Sequence, residues 1–140
     1  MDIDRMVITL KRQEGLVLVP YRDSEENWTI GYGHKLVNGI EISRAVASIL
    51  LIEDVERAVH EFKSTRLDQF LNEMRQEVCV NMVFNLGLKG FLGFVKMIAC
   101  IEGQDFYGAA VEMLQSKWHE QVGNRAKELA EVMRTGKCLP

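Results

Sequence analysis

The chain has 140 residues, enough to bury a real core as one compact domain or as two small lobes sharing a helix, and too few for several full-sized domains. With 47% apolar and 26% charged residues it has the ordinary mix of a soluble globular protein. Its net charge of −3, with no basic block and no Lys/Arg cluster interleaved with aromatics, argues against a dedicated nucleic-acid binder, whose phosphate contacts need concentrated positive charge.

The stretch MDIDRMVITLKRQEG is charged and amphipathic, so it reads as neither a signal peptide nor a membrane anchor. Asp2 is placed to cap a helix whose apolar positions Ile3, Met6, Val7 and Leu10 follow the i, i+3, i+4, i+7 pattern. Gly15 is placed to end it, with Glu14 in the last turn. Leu16 to Tyr21 is β-branched and aromatic-rich, and Pro20 marks an edge strand or a strand end. A polar turn over 23–27, a returning strand from Trp28 to His34 and a tight turn at Asn38-Gly39 complete a small antiparallel sheet over residues 14–42.

From Ser43, a credible cap, the period becomes helical. Val46, Ile49, Leu50, Val55 and Val59 predict a long helix over 43–63. Further helices are expected over 67–74, 75–86, 91–101, 106–116 and 125–134, with Gly87, Gly103 and Gly136 at ends and Asn124 capping the last. The expected fold is α+β: a sheet lobe (14–42) tied by the long helix to a helical lobe (64–140), with helix 2–14 packed on the latter. A groove between lobes is where ligand sites tend to lie. Cys79, Cys100 and Cys138 are an odd number without CxxC spacing and read as reduced thiols, Cys79 and Cys100 as small core residues.

Glu14 and Asp23 bracket the first strand. A carboxylate in a helix's last turn faces the negative end of the macrodipole, which favours its protonated form and with it proton donation. An acid there breaks a local rule, and such breaks concentrate at functional sites. Each residue also has an ordinary reading: a solvated surface Glu14, an Asp23 bonding its own turn, a plain strand Thr29, a structural His34. A six-residue strand would carry the two carboxylates roughly 20 Å apart unless the chain curls back, so spacing alone leaves their separation open.

The spacing E-x8-D-x5-T at Glu14, Asp23 and Thr29, followed by IGYGH, resembles the catalytic segment of the phage-type lysozymes, the muramidase family of T-even phages and related endolysins. The resemblance continues in order through EDVERAV (53–59), NMVFNLG (81–87) and SKWHEQVGNRAKELAEVMRTG (116–136), covering most of the chain. It implies a lysozyme-like fold with a cleft between lobes and the two carboxylates facing across it with room for a water. It also implies a metal-free and cofactor-free glycoside hydrolase acting on bacterial peptidoglycan. By the same resemblance Glu14 is the general acid, Asp23 the carboxylate that activates water, and Thr29 the hydroxyl that holds that water. The carboxyl separation of about 6.5–9.5 Å that suits such a pair implies inversion. The resemblance further pairs His34 with Asp54, sets Arg125 beside the catalytic glutamate, and makes Phe84, Asn85, Gln121 and Asn124 substrate contacts. Trp118 is expected in the core or at its rim.

Three departures stand out. The segment after His34 is shorter than in the T-even type, so the small lobe is expected to be trimmed. The chain stops soon after RTG, and its acidic balance weakens attraction to an anionic wall. Met97 and Glu112 replace the Ser and Asn of the T-even type. The resemblance implies a monomer with no stable membrane association, made in the host cytoplasm and reaching the wall through a lesion such as a holin's, with a tail-associated role equally open. The rival functions are a lytic transglycosylase, which would need no water-activating pair, and a non-catalytic wall-binding module.

Overall fold

A computed structural model describes residues 1–139, which form two compact units, Met1–Arg44 and Ala45 onward. The first opens with α1 (Ile3–Glu14). Asp2 stands in extended backbone and its carboxylate accepts from the Arg5 N–H at 2.9 Å, satisfying one donor that the helix leaves free. At the other end the Gly15 N–H donates to the Lys11 carbonyl. Both ends lie where the sequence predicts them.

Strands β1 (Val17–Arg22), β2 (Trp28–Gly31) and β3 (His34–Lys35) form an antiparallel sheet in the order β1-β2-β3. The single returning strand expected over 28–34 is instead two: Gly31 and Gly33, at φ of 71° and 72°, turn the chain at Tyr32, a conformation that side chains resist. As Pro20 suggests, β1 is an edge strand. Its register with β2 contains a bulge, for Val17 faces Gly31 while Tyr21 faces Thr29, so four steps along β1 match two along β2. Pro20 lies in the offset stretch, and lacking an N–H it cannot complete a ladder there. The chain therefore advances only about 7 Å along the sheet where four extended residues would cover about 13 Å.

In the second unit, α2 (Arg44–Ser64) leads through a 3-10 turn (Leu67–Phe70) to α3 (Glu73–Leu92). There follow α4 (Val95–Glu102), α5 (Phe106–Leu114), α6 (Lys117–Val122) and α7 (Asn124–Thr135). The core gathers Phe62, Met82, Phe91, Met97, Ile101 and Met113, all essentially without solvent contact, and Phe62 meets Phe91 edge-to-face at 6.4 Å. Each such side chain contributes about 1.5–3 kcal/mol by leaving water.

The helix boundaries correct the sequence reading at several points. The expected helix 67–74 is only the 3-10 turn, because Asn72 restarts the chain as the cap of α3, its side chain accepting from the Arg75 N–H. Gly87 (φ 75°, ψ 163°) leaves helical geometry where an end is expected, with a second helical segment running on to Leu92, while the expected helix 91–101 divides at Gly93-Phe94. Asn124 is the first residue inside α7, whose cap position is Gly123, so its predicted capping role is not observed. The short α6, capped by Ser116 through the His119 N–H, was not anticipated.

Arg75 joins the start of α3 to the end of α7. Its guanidinium stacks 3.7 Å over the centre of the Phe106 ring and donates to the carbonyls of Met133 (2.7 Å) and Arg134 (3.1 Å). Those carbonyls are among the free acceptors of the α7 C-terminus.

Candidate active site

Asp23 sits in the turn between β1 and β2. Its N–H donates to the Asn27 carbonyl at 3.0 Å, and its Oδ1 accepts from the N–H groups of Glu25 and Asn27, both at 2.9 Å. The turn bonding expected of an aspartate here is thus present, but it occupies one oxygen and leaves Oδ2 available. Thr29, with 2% of its surface exposed, donates its hydroxyl proton to the same Asn27 carbonyl at 2.9 Å. The Asn27 backbone therefore ties both side chains together. With its proton committed, the Thr29 oxygen can serve a further partner only as acceptor.

Glu14, exposed at the end of α1, lies at the other end of β2. Its carboxylate rests against the turn beyond that strand: a Cβ at Gly33 would fall 2.7 Å from Oε2 and 3.0 Å from Cδ. One helical turn earlier, the Lys11 ammonium stands 5.3 Å from the centre of the Tyr32 ring. The bulge at Pro20 shortens the path of β1 between the residues that follow Glu14 and those that precede Asp23. His34 is exposed and opens β3 opposite Ile30.

The remaining predicted residues belong to the second unit. Asp54 accepts from Arg57 at 3.2 Å. Arg125 grips the Asn81 side-chain oxygen with two N–H groups, at 2.9 and 2.7 Å. Phe84 is exposed and, with Leu51, Val55, Val80 and Arg125, lines a groove of about 510 Å³. Asn85 accepts at Oδ1 from the Trp118 indole N–H at 2.8 Å, which fixes the oxygen toward Trp118 and leaves both amide hydrogens available to a ligand. Trp118 is buried edge-to-face on Phe94 beneath a second groove, of about 560 Å³, to which Gln121 and Glu112 also contribute. Met97 is core rather than a surface contact, and Asn124 is exposed at the start of α7.

Asn27, Gly33 and Asn81 did not figure among the expected site residues. Gly33 lay in view within the Gly-Tyr-Gly triplet; Asn27 acts through its backbone, and no side-chain pattern announces that. Among the described residues no three His, Cys, Asp or Glu side chains converge as a metal site.

The phage lysozyme family profile matches residues 11–134, a span that includes both Glu14 and Arg125. The chain is 28% identical to the probable T4-type lysozyme 1 of Dictyostelium discoideum, over 91% of this chain and 92% of that protein. It is 29% identical to an endolysin of Acyrthosiphon pisum secondary endosymbiont phage 1, over 82% of this chain and 77% of that one. A third relative, the pre-baseplate central spike protein Gp5 of Enterobacteria phage T4, is 28% identical over 94% of this chain but only 28% of its own length. By this family match, carried on an α+β fold whose first helix, first turn and second strand bear the E-x8-D-x5-T residues, the chain belongs to the phage lysozyme family.

Proposed function

We propose that the chain is a peptidoglycan hydrolase, a muramidase that cleaves the β-1,4 bond between N-acetylmuramic acid and N-acetylglucosamine with inversion. The observation that carries this reading is the pairing of Asp23 and Thr29 through the Asn27 backbone. A water between them gives one proton to Asp23 Oδ2 and shares the other with Thr29 Oγ1. Both acceptors draw on its hydrogens, so its lone pair is left to attack the anomeric carbon. Glu14, in its neutral form, donates its proton to the departing glycosidic oxygen, and Asp23 takes up the proton that the water loses. Inversion by this pair requires the two carboxyl groups to stand about 6.5–9.5 Å apart across the sugar. Phe84, the Asn85 amide nitrogen, Gln121 and Asn124 supply saccharide contacts in this reading, with Arg125 and the His34 and Asp54 side chains in support.

The test is mass spectrometry of muropeptides released from purified murein by the wild type and by Glu14→Gln. Reducing N-acetylmuramic acid ends from the wild type and no release by the folded variant are expected. Anhydro ends would make the enzyme a lytic transglycosylase, and full release by Glu14→Gln would remove Glu14 from the chemistry.

A further inference from the structure

We infer that Gly33 is a positioning residue for the Glu14 carboxylate, an inference resting on the reading of Glu14 as the acid. Glu14 is exposed at a helix end, and its side chain has several rotatable bonds that solvent alone does not order. Gly33 provides the surface on which it rests. The glycine hydrogen that stands where a Cβ would be is directed at Oε2, with the Cβ position 2.7 Å from that oxygen, 3.0 Å from Cδ and 3.3 Å from Cγ. Gly31, two residues earlier, has nearly the same positive φ (71° against 72°), yet a Cβ there meets nothing within 4 Å. Conformation thus accounts for glycine at both positions, and contact with the acid distinguishes only the second.

The neighbouring contact acts in the same sense. The Lys11 ammonium lies over the Tyr32 ring, so the last turn of α1 meets the β2–β3 turn at two consecutive residues, Tyr32 and Gly33. A methyl group at Gly33 would collide with the tip of a flexible side chain rather than with backbone. The displacement would fall on the carboxylate, beside a backbone strain at positive φ that an alanine at Gly31 would share.

Gly33→Ala, Gly31→Ala, Glu14→Gln and the double variant Gly33→Ala/Glu14→Gln are compared by thermal melting and by kinetics on soluble glycan strands. Gly33→Ala should lower kcat about a hundredfold with little change in KM, the loss expected when a reacting group is misplaced by about an ångström. Gly31→Ala should lose similar thermal stability and keep most of the rate. In the Glu14→Gln background Gly33→Ala should cost no further activity, since the group it positions is already gone. Equal rates for the two alanine variants beside an inactive Glu14→Gln would overturn the positioning role and leave the acid assignment standing; an active Glu14→Gln would defeat the assignment itself. Should Gly33→Ala not fold, Tyr32→Leu and Tyr32→Phe test the same contact. A loss of about two- to fivefold in kcat for the leucine variant alone supports it, and equal rates overturn it.

Discussion

Replacing Asp23 by Asn separates the two tasks that its carboxylate performs. Oδ1 holds the turn by accepting from Glu25 and Asn27, both at 2.9 Å, and an amide oxygen can accept the same two bonds. A charged acceptor is worth about 1 kcal/mol more per bond than a neutral one, and partial solvent exposure halves that, so the fold should lose only about 1 kcal/mol. That corresponds to a fall in Tm on the order of 3–5 °C. Oδ2, by contrast, becomes an NH2 group that cannot take a proton from water. The rate should fall by about 10²–10⁴, or about 3–5 kcal/mol in activation free energy. Asp23→Ala removes both turn bonds and should cost about 2–3 kcal/mol of stability with a similar loss of rate. Melting curves followed by far-UV circular dichroism, beside clearing of a murein suspension, read both quantities. A folded Asp23→Asn protein that clears murein within about threefold of the wild type would refute the base assignment, because a true base contributes at least about a hundredfold.

Thr29→Val keeps the buried shape and leaves the Asn27 carbonyl its bond from the Asp23 N–H, so stability should fall by only about 0.5–1.5 kcal/mol while murein clearing drops about a hundredfold. Thr29→Ser should retain most of the rate, and equal rates for the two variants would exclude a role for the hydroxyl. Arg75→Ala frees two α7 carbonyls and unstacks Phe106, which should cost roughly 2–4 kcal/mol and lower Tm on the order of 10 °C. Arg75→Lys should recover only part of this, since an ammonium lacks the planar fork. Burial pushes the Cys79 thiol up to about 12, so native protein at pH 8 should be alkylated at exposed Cys138 and not at Cys79. Because that thiol ionises at lower pH when unfolded, the stability it contributes is intact below its ordinary range of about 9. It is lost as pH climbs toward about 12, as denaturant melts across that window would record.

Features set by local sterics were readable from the chain. Asp2 caps α1, Gly15 ends it and Gly136 closes α7, each through hydrogen bonds a few residues away. The helical breaks were less so. Gly87 does break helical geometry as a terminator would, but that a second segment resumes at once depends on packing, with Val83 and Phe91 on either side in one core. The loss of pairing at Pro20 was foreseeable, but the two-residue offset depends on which strand positions pair, and that is settled across the sheet. The acid, the aspartate and the threonine were named from spacing and resemblance. Their immediate partners were less legible: Gly33 stands out only as one glycine of the Gly-Tyr-Gly triplet, and the Asn27 backbone carries no side-chain signature.

The kinked edge strand has a consequence beyond the placement of two acids. Leu18 and Val19 point largely into solvent, at 78% and 65% exposure, on a strand that has no paired strand on its outer side among the described residues. A flat strand of that composition would be a template on which other copies could stack. The missing donor at Pro20 and the offset beside it interrupt the row of backbone groups that such stacking needs, so the irregularity that shortens β1 also blunts its open edge.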